Sequence, residues 1–179
     1  MRGKVYAQSF SGQRRALPRN FANIRHVGYL QEQLVPRRSS LENYARRVRE
    51  SFARQEMMKT LGAEMSAVRN GTTEIRFPYA ATLTQQHGYL HAGAVTTALD
   101  SACGYAALTV APEGSEVLSV EFKVNLLAPA TGDSIVARAQ VKRAGRTLAV
   151  CTADAFAVRP DGEKLIATML ATMIYVPLK

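Results

Sequence analysis

Residues 85–107 read QQHGYLHAGAVTTALDSACGYAA, a polar loop with a glycine followed by the first turns of a long apolar helix. The helix is predicted over His91 to Val110, because this span holds no proline and repeats apolar residues such as Val95 and Leu99 on one face. The other faces are nearly as apolar, and a helix without a polar face has to be buried. We therefore expect the rest of the chain to wrap this helix.

Asp100 is the exception within this apolar helix. An ionised carboxylate in mid-helix is costly unless it is paired, solvated by a cleft or functional. A structural aspartate that bonds a loop amide is the alternative reading, and the residues alone leave both open. Asp100 thus marks a candidate site.

Before this helix, the capping-box pattern at Ser39–Glu42 predicts a helix that runs to about Leu61 and ends at Gly62. Two strands are then predicted, 64–69 and 73–78, on either side of an Asn-Gly turn, which is a strong hairpin signal. This first helix is predicted to pack across a larger element.

After the buried helix, residues 118–126 alternate strictly, which predicts a strand with an apolar core side and a polar side that carries Ser119. Three further strands, 134–143, 147–158 and 164–176, follow as a meander. The order of elements predicts an α+β fold with one antiparallel sheet wrapped round the helix. A single sheet cannot cover that helix fully or protect its own edge, so we expect dimerisation.

The charge divides the chain into two predicted parts, a basic N-terminal extension over 1–38 and a folded domain over 39–179. The extension carries eight Lys or Arg and one acid of a chain whose net charge is +9, so the folded part is nearly neutral. The high pI therefore does not predict nucleic-acid binding by the domain. A disordered arm, a transit peptide and a leader from upstream of the usual start remain open for the extension.

Two cysteines, Cys103 and Cys151, lie in apolar segments without metal or redox spacing. They are predicted to be buried thiols of a reducing compartment, with a single disulfide as the alternative. No apolar run has the length of a membrane span, and no signal-peptide core is evident. We expect a soluble, cytoplasmic protein that binds neither membrane nor nucleic acid.

Several motifs together resemble hotdog-fold acyl-CoA thioesterases of the phenylacetate-degradation (PaaI-like) type. They are His91-Ala92-Gly93 with Asp100 nine residues after His91, the strand 117–125, the Pro129 to Asp133 turn, and Gly145-Arg146-Thr147-Leu148. The resemblance covers about residues 45–177 and implies a hotdog fold, an antiparallel sheet around a long central helix.

The resemblance also implies roles for single residues. Asp100 would act as general base or nucleophile toward the thioester, Ser119 would help to place the attacking water, and Gln85 would hold that water or the thioester carbonyl. In the family the loop and the helix carboxylate come from different subunits of a dimer. Two positions depart from the family, because Ala92 replaces a glycine and Gln85 replaces the commoner asparagine, which affects substrate range more than reaction type.

The start of the helix supplies the remaining candidate residues. The N–H groups of Ala92 and Gly93 could polarise a thioester carbonyl, since helix N-termini attract negative charge. His91 is predicted to fix the loop as a hydrogen-bond donor rather than to bind metal, with Gly88 and His87 at the edge of the site. Cations at a strand turn are candidates for the coenzyme A phosphates: Lys142, Arg143 and Arg146.

The sequence thus predicts a homodimeric or homotetrameric acyl-CoA thioesterase that needs no metal or redox cofactor. The substrate is expected to be a medium-chain or aromatic acyl-CoA. Two alternatives remain: a non-catalytic acyl-CoA sensor, and an enoyl-CoA hydratase, for which the expected Asp–His arrangement is missing. The sequence leaves open whether Asp100 acts as base or nucleophile.

Overall fold

The computed structural model describes residues 38–178, and their side chains from residue 43 onward. The predicted extension, the domain boundary after residue 38 and the capping box at Ser39–Glu42 lie outside the described residues or side chains, so they stay predictions. The elements are α1 Arg38–Arg54, α2 Glu56–Leu61, β1 Glu64–Arg69, β2 Thr72–Pro78, α3 Ala92–Val110, β3 Ser115–Leu126, β4 Ser134–Ala144, β5 Leu148–Arg159 and β6 Gly162–Pro177.

Six antiparallel strands form one sheet in the order β1-β2-β4-β5-β6-β3. The predicted α+β class, the strands and the first hairpin are confirmed. The four-strand meander is wrong, because only β4, β5 and β6 are consecutive neighbours. Strand β3 lies beyond β6, at an edge of the sheet, which leaves one of its sides without a backbone partner within the described residues.

Helix α3 is the centre of the core, as predicted. Its residues Val95, Ala98, Leu99 and Ala102 are at most 2% exposed, and the helix packs against the strands of the sheet. The inner face of β5 consists of small residues that let the helix approach closely, and all of them are buried: Ala149, Cys151, Ala153, Ala155 and Ala157.

Helix α1 packs against α3 and donates hydrogen bonds to the C-terminal end of α3 through Arg47. The Arg47 guanidinium donates to the carbonyl of Leu108 at 2.5 Å and to those of Ala111 and Pro112 at 3.5 Å. A cation at a helix C-terminus satisfies carbonyls that have no partner within the helix and opposes the negative end of its dipole. The loop after α3 is therefore held by a helix that precedes it by about sixty residues.

The predicted helix from residue 39 to 61 is in fact two helices. The chain is extended at Gln55 (φ −81°, ψ 102°), and α2 starts at the next residue. The side chain of Gln55 reaches Ser101 and Tyr105 on α3, a contact that a continuous helix pattern could not predict. The predicted end at Gly62 is confirmed, since Gly62 takes the left-handed conformation that closes α2.

The predicted core side of β3 is confirmed for Phe122, Val124 and Leu126 but is wrong for Leu118 and Val120. A bulge between Ser119 and Glu121 shifts the register against β6, so the alternation changes phase at Val120. Before the bulge Ser119 pairs with buried Met173, and after it Phe122 pairs with buried Ala171, so both lie on the face that looks toward α3. Leu118 consequently faces the other way, and it is 57% exposed.

His91 is the N-cap of α3. Its Nδ1 accepts a hydrogen bond of 2.8 Å from the Gly93 N–H, so in this contact His91 is the acceptor, and the predicted donor role stays a prediction. A Cβ at Gly93 would lie 3.0 Å from this nitrogen, a closer approach than side chains normally make. The histidine cap therefore favours glycine two residues later.

A charged network crosses the outer face of the sheet. Arg138 donates to Glu74 at 2.6 Å and to both oxygens of Glu163 at 2.6 and 2.8 Å, and its guanidinium lies 5.0 Å from the ring centre of Phe156. Burial alone would raise the pKa of Glu74, but hydrogen bonds from Arg138 and Ser66 outweigh it and hold the pKa below its ordinary value. The bidentate Arg138 contact likewise lowers the pKa of Glu163.

No helix within residues 38–178 is long and apolar enough to cross a membrane. Cys103 and Cys151 are buried and unbonded, so the predicted buried thiols are confirmed and the disulfide is not formed.

We predict that Arg138→Met lowers the free energy of unfolding at pH 7 by about 1 kcal/mol, a modest loss because the ion pairs are partly exposed. Carboxyl groups whose pKa is lowered in the folded state stabilise it above their unfolded pKa, and this stabilisation disappears as the pH falls through the folded pKa. The difference between variant and wild type should therefore shrink at acidic pH, as measured by urea unfolding at neutral and at acidic pH. Arg69→Met on β1, which makes no ion pair within the described residues, is the control. An equal loss at both pH values would show that the stabilisation does not come from the ion pairs of Arg138 with the two carboxylates.

We predict that His91→Ala lowers the free energy of unfolding by about 1 kcal/mol, because the Gly93 N–H loses its acceptor. His91→Asn should recover most of this loss, since asparagine is a good N-cap residue. Chemical denaturation of the three proteins measures both effects. If the Asn and Ala variants were equally destabilised, the imidazole would stabilise the loop by something other than capping.

Candidate active site

Two of the predicted site residues, Asp100 and Ser119, are in direct contact. The Ser119 hydroxyl donates to Oδ1 of Asp100 at 2.6 Å, from the edge strand β3 to the middle of α3. Asp100 is half-buried and Ser119 is exposed in the single chain. No other hydrogen bond or ion pair to this carboxylate occurs within residues 38–178, so Oδ2 remains available to a further donor such as water.

The bulge at Val120 brings these two groups together. Without it, Ser119 would share a face with Glu121, whose side chain lies on the opposite side of the sheet beside Thr172. Bulges often redirect a side chain next to a functional site. The strict alternation of residues 118–126 hides this bulge, so the sequence identified Ser119 but not its orientation.

A polar cluster of Gln55, Ser101 and Tyr105 lies beside Asp100 and was not predicted from the sequence. The amide of Gln55 donates to the Ser101 hydroxyl at 3.3 Å, and the Tyr105 hydroxyl donates to the Gln55 carbonyl oxygen at 3.1 Å. Burial raises the pKa of Tyr105, so its hydroxyl remains a donor at neutral pH. With Asp100 and Ser119 these residues line a cavity of about 140 Å³. No local signal marks Gln55, because it lies within a helical pattern.

The loop before α3 holds itself in place. The side-chain oxygen of Gln85 accepts a hydrogen bond from the backbone N–H of His87, and the Tyr79 hydroxyl donates to the carbonyl of Gly88 at 2.9 Å. His87 and Gly88 are exposed at the edge of this loop. The side-chain oxygen of Gln85 is therefore bonded within the loop, while its amide N–H groups make no hydrogen bond within the described residues.

The start of α3 offers one N–H group rather than the two predicted. The Gly93 N–H is taken by His91, whereas the Ala92 N–H has no acceptor among residues 38–178. Next to it lies a largely apolar cavity of about 450 Å³. It is lined by Gln85, Tyr89, Leu90, Ala92, Val95, residues 126–130 and Ile166.

A single chain does not bring the loop and the carboxylate together. Asp100 follows Ala92 by eight residues, which corresponds to about 12 Å along a helix axis. The two groups accordingly line different cavities. Each copy of the chain thus presents the loop and the carboxylate at separate places on α3.

The three predicted phosphate-binding cations lie at the turn between β4 and β5 and are exposed. Lys142 donates to Gln140 at 2.8 Å, and neither Arg143 nor Arg146 makes an ion pair within the described residues. None of them contacts Asp100, but they lie at the same end of the sheet as Ser119. One row of paired residues crosses the sheet from this turn to the site: Ala144, Ala149, Met173 and Ser119.

The two thiols do not supply a nucleophile. Burial raises the pKa of Cys151 to about 11, and burial, with Cys151 and Asp100 nearby, raises that of Cys103. Both thiols therefore stay protonated at neutral pH. Within residues 38–178, no three His, Cys, Asp or Glu side chains gather closely enough to hold a metal ion. The absence of a cofactor stays a prediction.

Known proteins resemble this chain in sequence and in fold. Residues 87–162 match the model of the thioesterase superfamily. The crystal structure of a thioesterase family protein from Silicibacter pomeroyi is 54% identical, with a TM-score of 0.74 over 75% of this chain and 98% of that one. A candidate esterase of Halobacterium salinarum is 31% identical over 99 residues, which are 52% of this chain and 65% of that protein.

The PaaI protein from the phenylacetic acid degradation operon of E. coli shares the fold at 18% identity, with a TM-score of 0.68 over 77% of this chain and 98% of that one. The six-stranded sheet around α3 is thus the predicted hotdog fold. The fold, the match to the superfamily model and the Silicibacter relative all indicate the same family. The chain therefore belongs to the thioesterase superfamily, the family of hotdog-fold thioester hydrolases.

Proposed function

We propose that this protein hydrolyses medium-chain or aromatic acyl-CoA thioesters to the free acid and coenzyme A, at a site formed between two copies of the chain. The observation that carries the proposal is the 2.6 Å hydrogen bond between Ser119 and Asp100, which fixes the carboxylate in the middle of the mostly apolar helix α3. Hydrolysis adds water across the bond between the acyl carbon and sulfur, so the site has to activate water and stabilise an oxyanion.

Asp100 is the group that activates the water. With Oδ1 held by Ser119, Oδ2 can accept a proton from a water molecule that attacks the thioester carbon. Attack by Oδ2 itself, with a short-lived anhydride that water then hydrolyses, fits the same geometry. Both routes release the acid and a thiol, and both require the carboxylate.

The Ala92 N–H is the group that stabilises the oxyanion. It lies at the first turn of α3, where unsatisfied N–H groups and the helix dipole favour negative charge. A donor preorganised in this way can lower the barrier of acyl transfer substantially. Ala92 keeps this N–H although it replaces the family's glycine.

A second copy is needed because the Ala92 N–H and Asp100 of one chain are about 12 Å apart along the helix. The N–H has to reach the carbonyl oxygen of the thioester, and the carboxylate has to reach the attacking water or the carbonyl carbon of the same thioester. Two α3 helices that lie side by side in opposite directions bring the loop of one copy to the carboxylate of the other. The complex would then contain two equivalent sites.

Strand β3 offers the surface for such a dimer. Phe122 and Leu126, on its inner face, are 42% and 56% exposed, and Val120 at the bulge is 55% exposed. Its edge also carries backbone groups without a strand partner within the described residues. Pairing with a second β3 would satisfy these groups and bury the apolar side chains. A tetramer of two such dimers remains part of the proposal.

The cavities and charges support an acyl-CoA substrate. The apolar cavity of about 450 Å³ beside Ala92 suits a medium-chain or aromatic acyl group. Lys142, Arg143 and Arg146 are exposed cations that can bind the phosphates of coenzyme A from the surface. A cytoplasmic location agrees with the reduced thiols and stays an expectation.

We expect Asp100→Asn to lower kcat on the best substrate by about 10²–10⁴-fold with little change in KM, because the amide cannot accept the proton. The measurement is thiol release from short, medium-chain, long and aromatic acyl-CoAs. Glu121→Gln, a carboxylate on the opposite face of β3, is the matched control and should retain full activity.

Two results would contradict the proposal. Turnover by Asp100→Asn at the wild-type rate would remove Asp100 from the chemistry. Tight acyl-CoA binding without turnover by the wild type would instead favour a non-catalytic sensor.

A further inference from the structure

Exposed leucines gather in one region of the outer face of the sheet, the face turned away from α3. Leu118 on β3 pairs with Ile174 on β6, which pairs with Leu148 on β5, so these three residues form one row across the sheet. Leu170 lies on the same face of β6, four residues before Ile174. Leu148 and Leu170 are 43% and 51% exposed. We call this region the leucine patch, and its apolar members are Leu118, Leu148, Val150, Leu170 and Ile174.

The rest of the outer face is charged and satisfies its own charges. Arg138 forms ion pairs with Glu74 and Glu163 there, at the side of the sheet that carries β2 and β4. The exposed apolar side chains of the outer face are thus concentrated on β3, β5 and β6 rather than scattered among the charges. A contiguous apolar patch with a polar border usually marks a surface that binds another molecule.

The leucine patch reaches the edge strand β3, which is the strand proposed to pair with a second copy. Such pairing would join two sheets edge to edge, so the two leucine patches would become neighbours on one continuous outer face. Six strands, three from each copy, are about 29 Å wide, and a stretch such as residues 118–123 is about 20 Å long. The dimer would therefore present about 600 Å² in flat projection, of the order that each partner contributes to a stable protein interface.

The charges at the border of the leucine patch favour a second copy of the same surface as its partner. Glu121 and Lys123 lie two residues apart on the outer face of β3, and Lys123 makes no ion pair within the described residues. A two-fold interface brings a surface against itself, so it is best served by both signs of charge. An anionic membrane surface would favour cations alone.

We propose that the leucine patch is the surface through which two dimers of this chain join, outer face against outer face, into a tetramer. The inference rests on the dimer of the proposed function, because pairing of β3 is what joins two patches into one surface. Asp100 and Ser119 meet on the other face of the sheet, where α3 lies. A dimer released from the tetramer therefore keeps both of its proposed active sites.

The test is a double variant, Leu148→Lys with Leu170→Lys. Both side chains are exposed in the single chain, so the core is not disturbed, whereas the tetramer would bury four copies of each unpaired cation. Sedimentation velocity over a dilution series should show tetramers for the wild type and dimers for the variant. The dissociation constant between dimer and tetramer should rise about 100-fold or more. The kcat per chain for thioester hydrolysis should stay at the wild-type value.

Leu165→Lys is the matched control. Leu165 also lies on β6 and is 40% exposed, but it pairs with Phe156, whose ring lies against Arg138 in the charged part of the face. This variant adds the same charge outside the leucine patch and should remain a tetramer.

A double variant that stays tetrameric, or a wild type that is only dimeric, would overturn the inference. If the dimeric wild type then bound vesicles of phosphatidylserine and phosphatidylcholine and the double variant did not, the leucine patch would be a membrane surface. Dissociation of the double variant into inactive monomers would also overturn the inference, because the patch would then belong to the first dimer interface. A tetrameric wild type that hydrolyses no thioester would instead contradict the proposed function and leave the tetramer surface supported.

Discussion

Helix α3 has no polar face, and each side of its 19 residues needs a cover. The sheet supplies most of this cover through the small residues of β5, and α1 adds to it with Arg47 at the helix end. What remains uncovered is the side beside β3, where Asp100 and Ser119 meet and where Phe122 and Leu126 are exposed on the inner face of the strand. Because this side of α3 is not covered within one chain, it is the proposed interface with a second copy, and the carboxylate of Asp100 lies on it.

The sequence was sufficient for the fold because its signals were local and consistent. The apolar pattern of residues 91–110, the Asn-Gly turn and the alternating strands each predicted an element that the structure contains. Prediction from the sequence was wrong where a tertiary contact overrode the local pattern. The helix is interrupted at Gln55, whose side chain contacts Ser101. Strand β3 pairs with β6 rather than with β4, and the alternation within one strand does not specify which strand lies beside it.

The site could be predicted only in part for the same reason. Asp100 is conspicuous in an apolar helix, and its contact with Ser119 agrees with the roles that the resemblance implies. The bulge at Val120 and the acceptor role of His91 depend on register and on cap geometry, which residue types do not encode. In the proposed enzyme these local irregularities, rather than the regular elements, orient the reacting groups.

In the proposed dimer, one copy supplies the loop and the other supplies the carboxylate. The decisive experiment mixes two separately inactive variants, Asp100→Asn and the loop variant Gly93→Val, and refolds them together. Random pairing in a dimer would restore about one quarter of the wild-type activity, because half of the dimers are mixed and each mixed dimer has one intact site. A mixture that stays inactive although mixed dimers form would show that each site lies within a single chain.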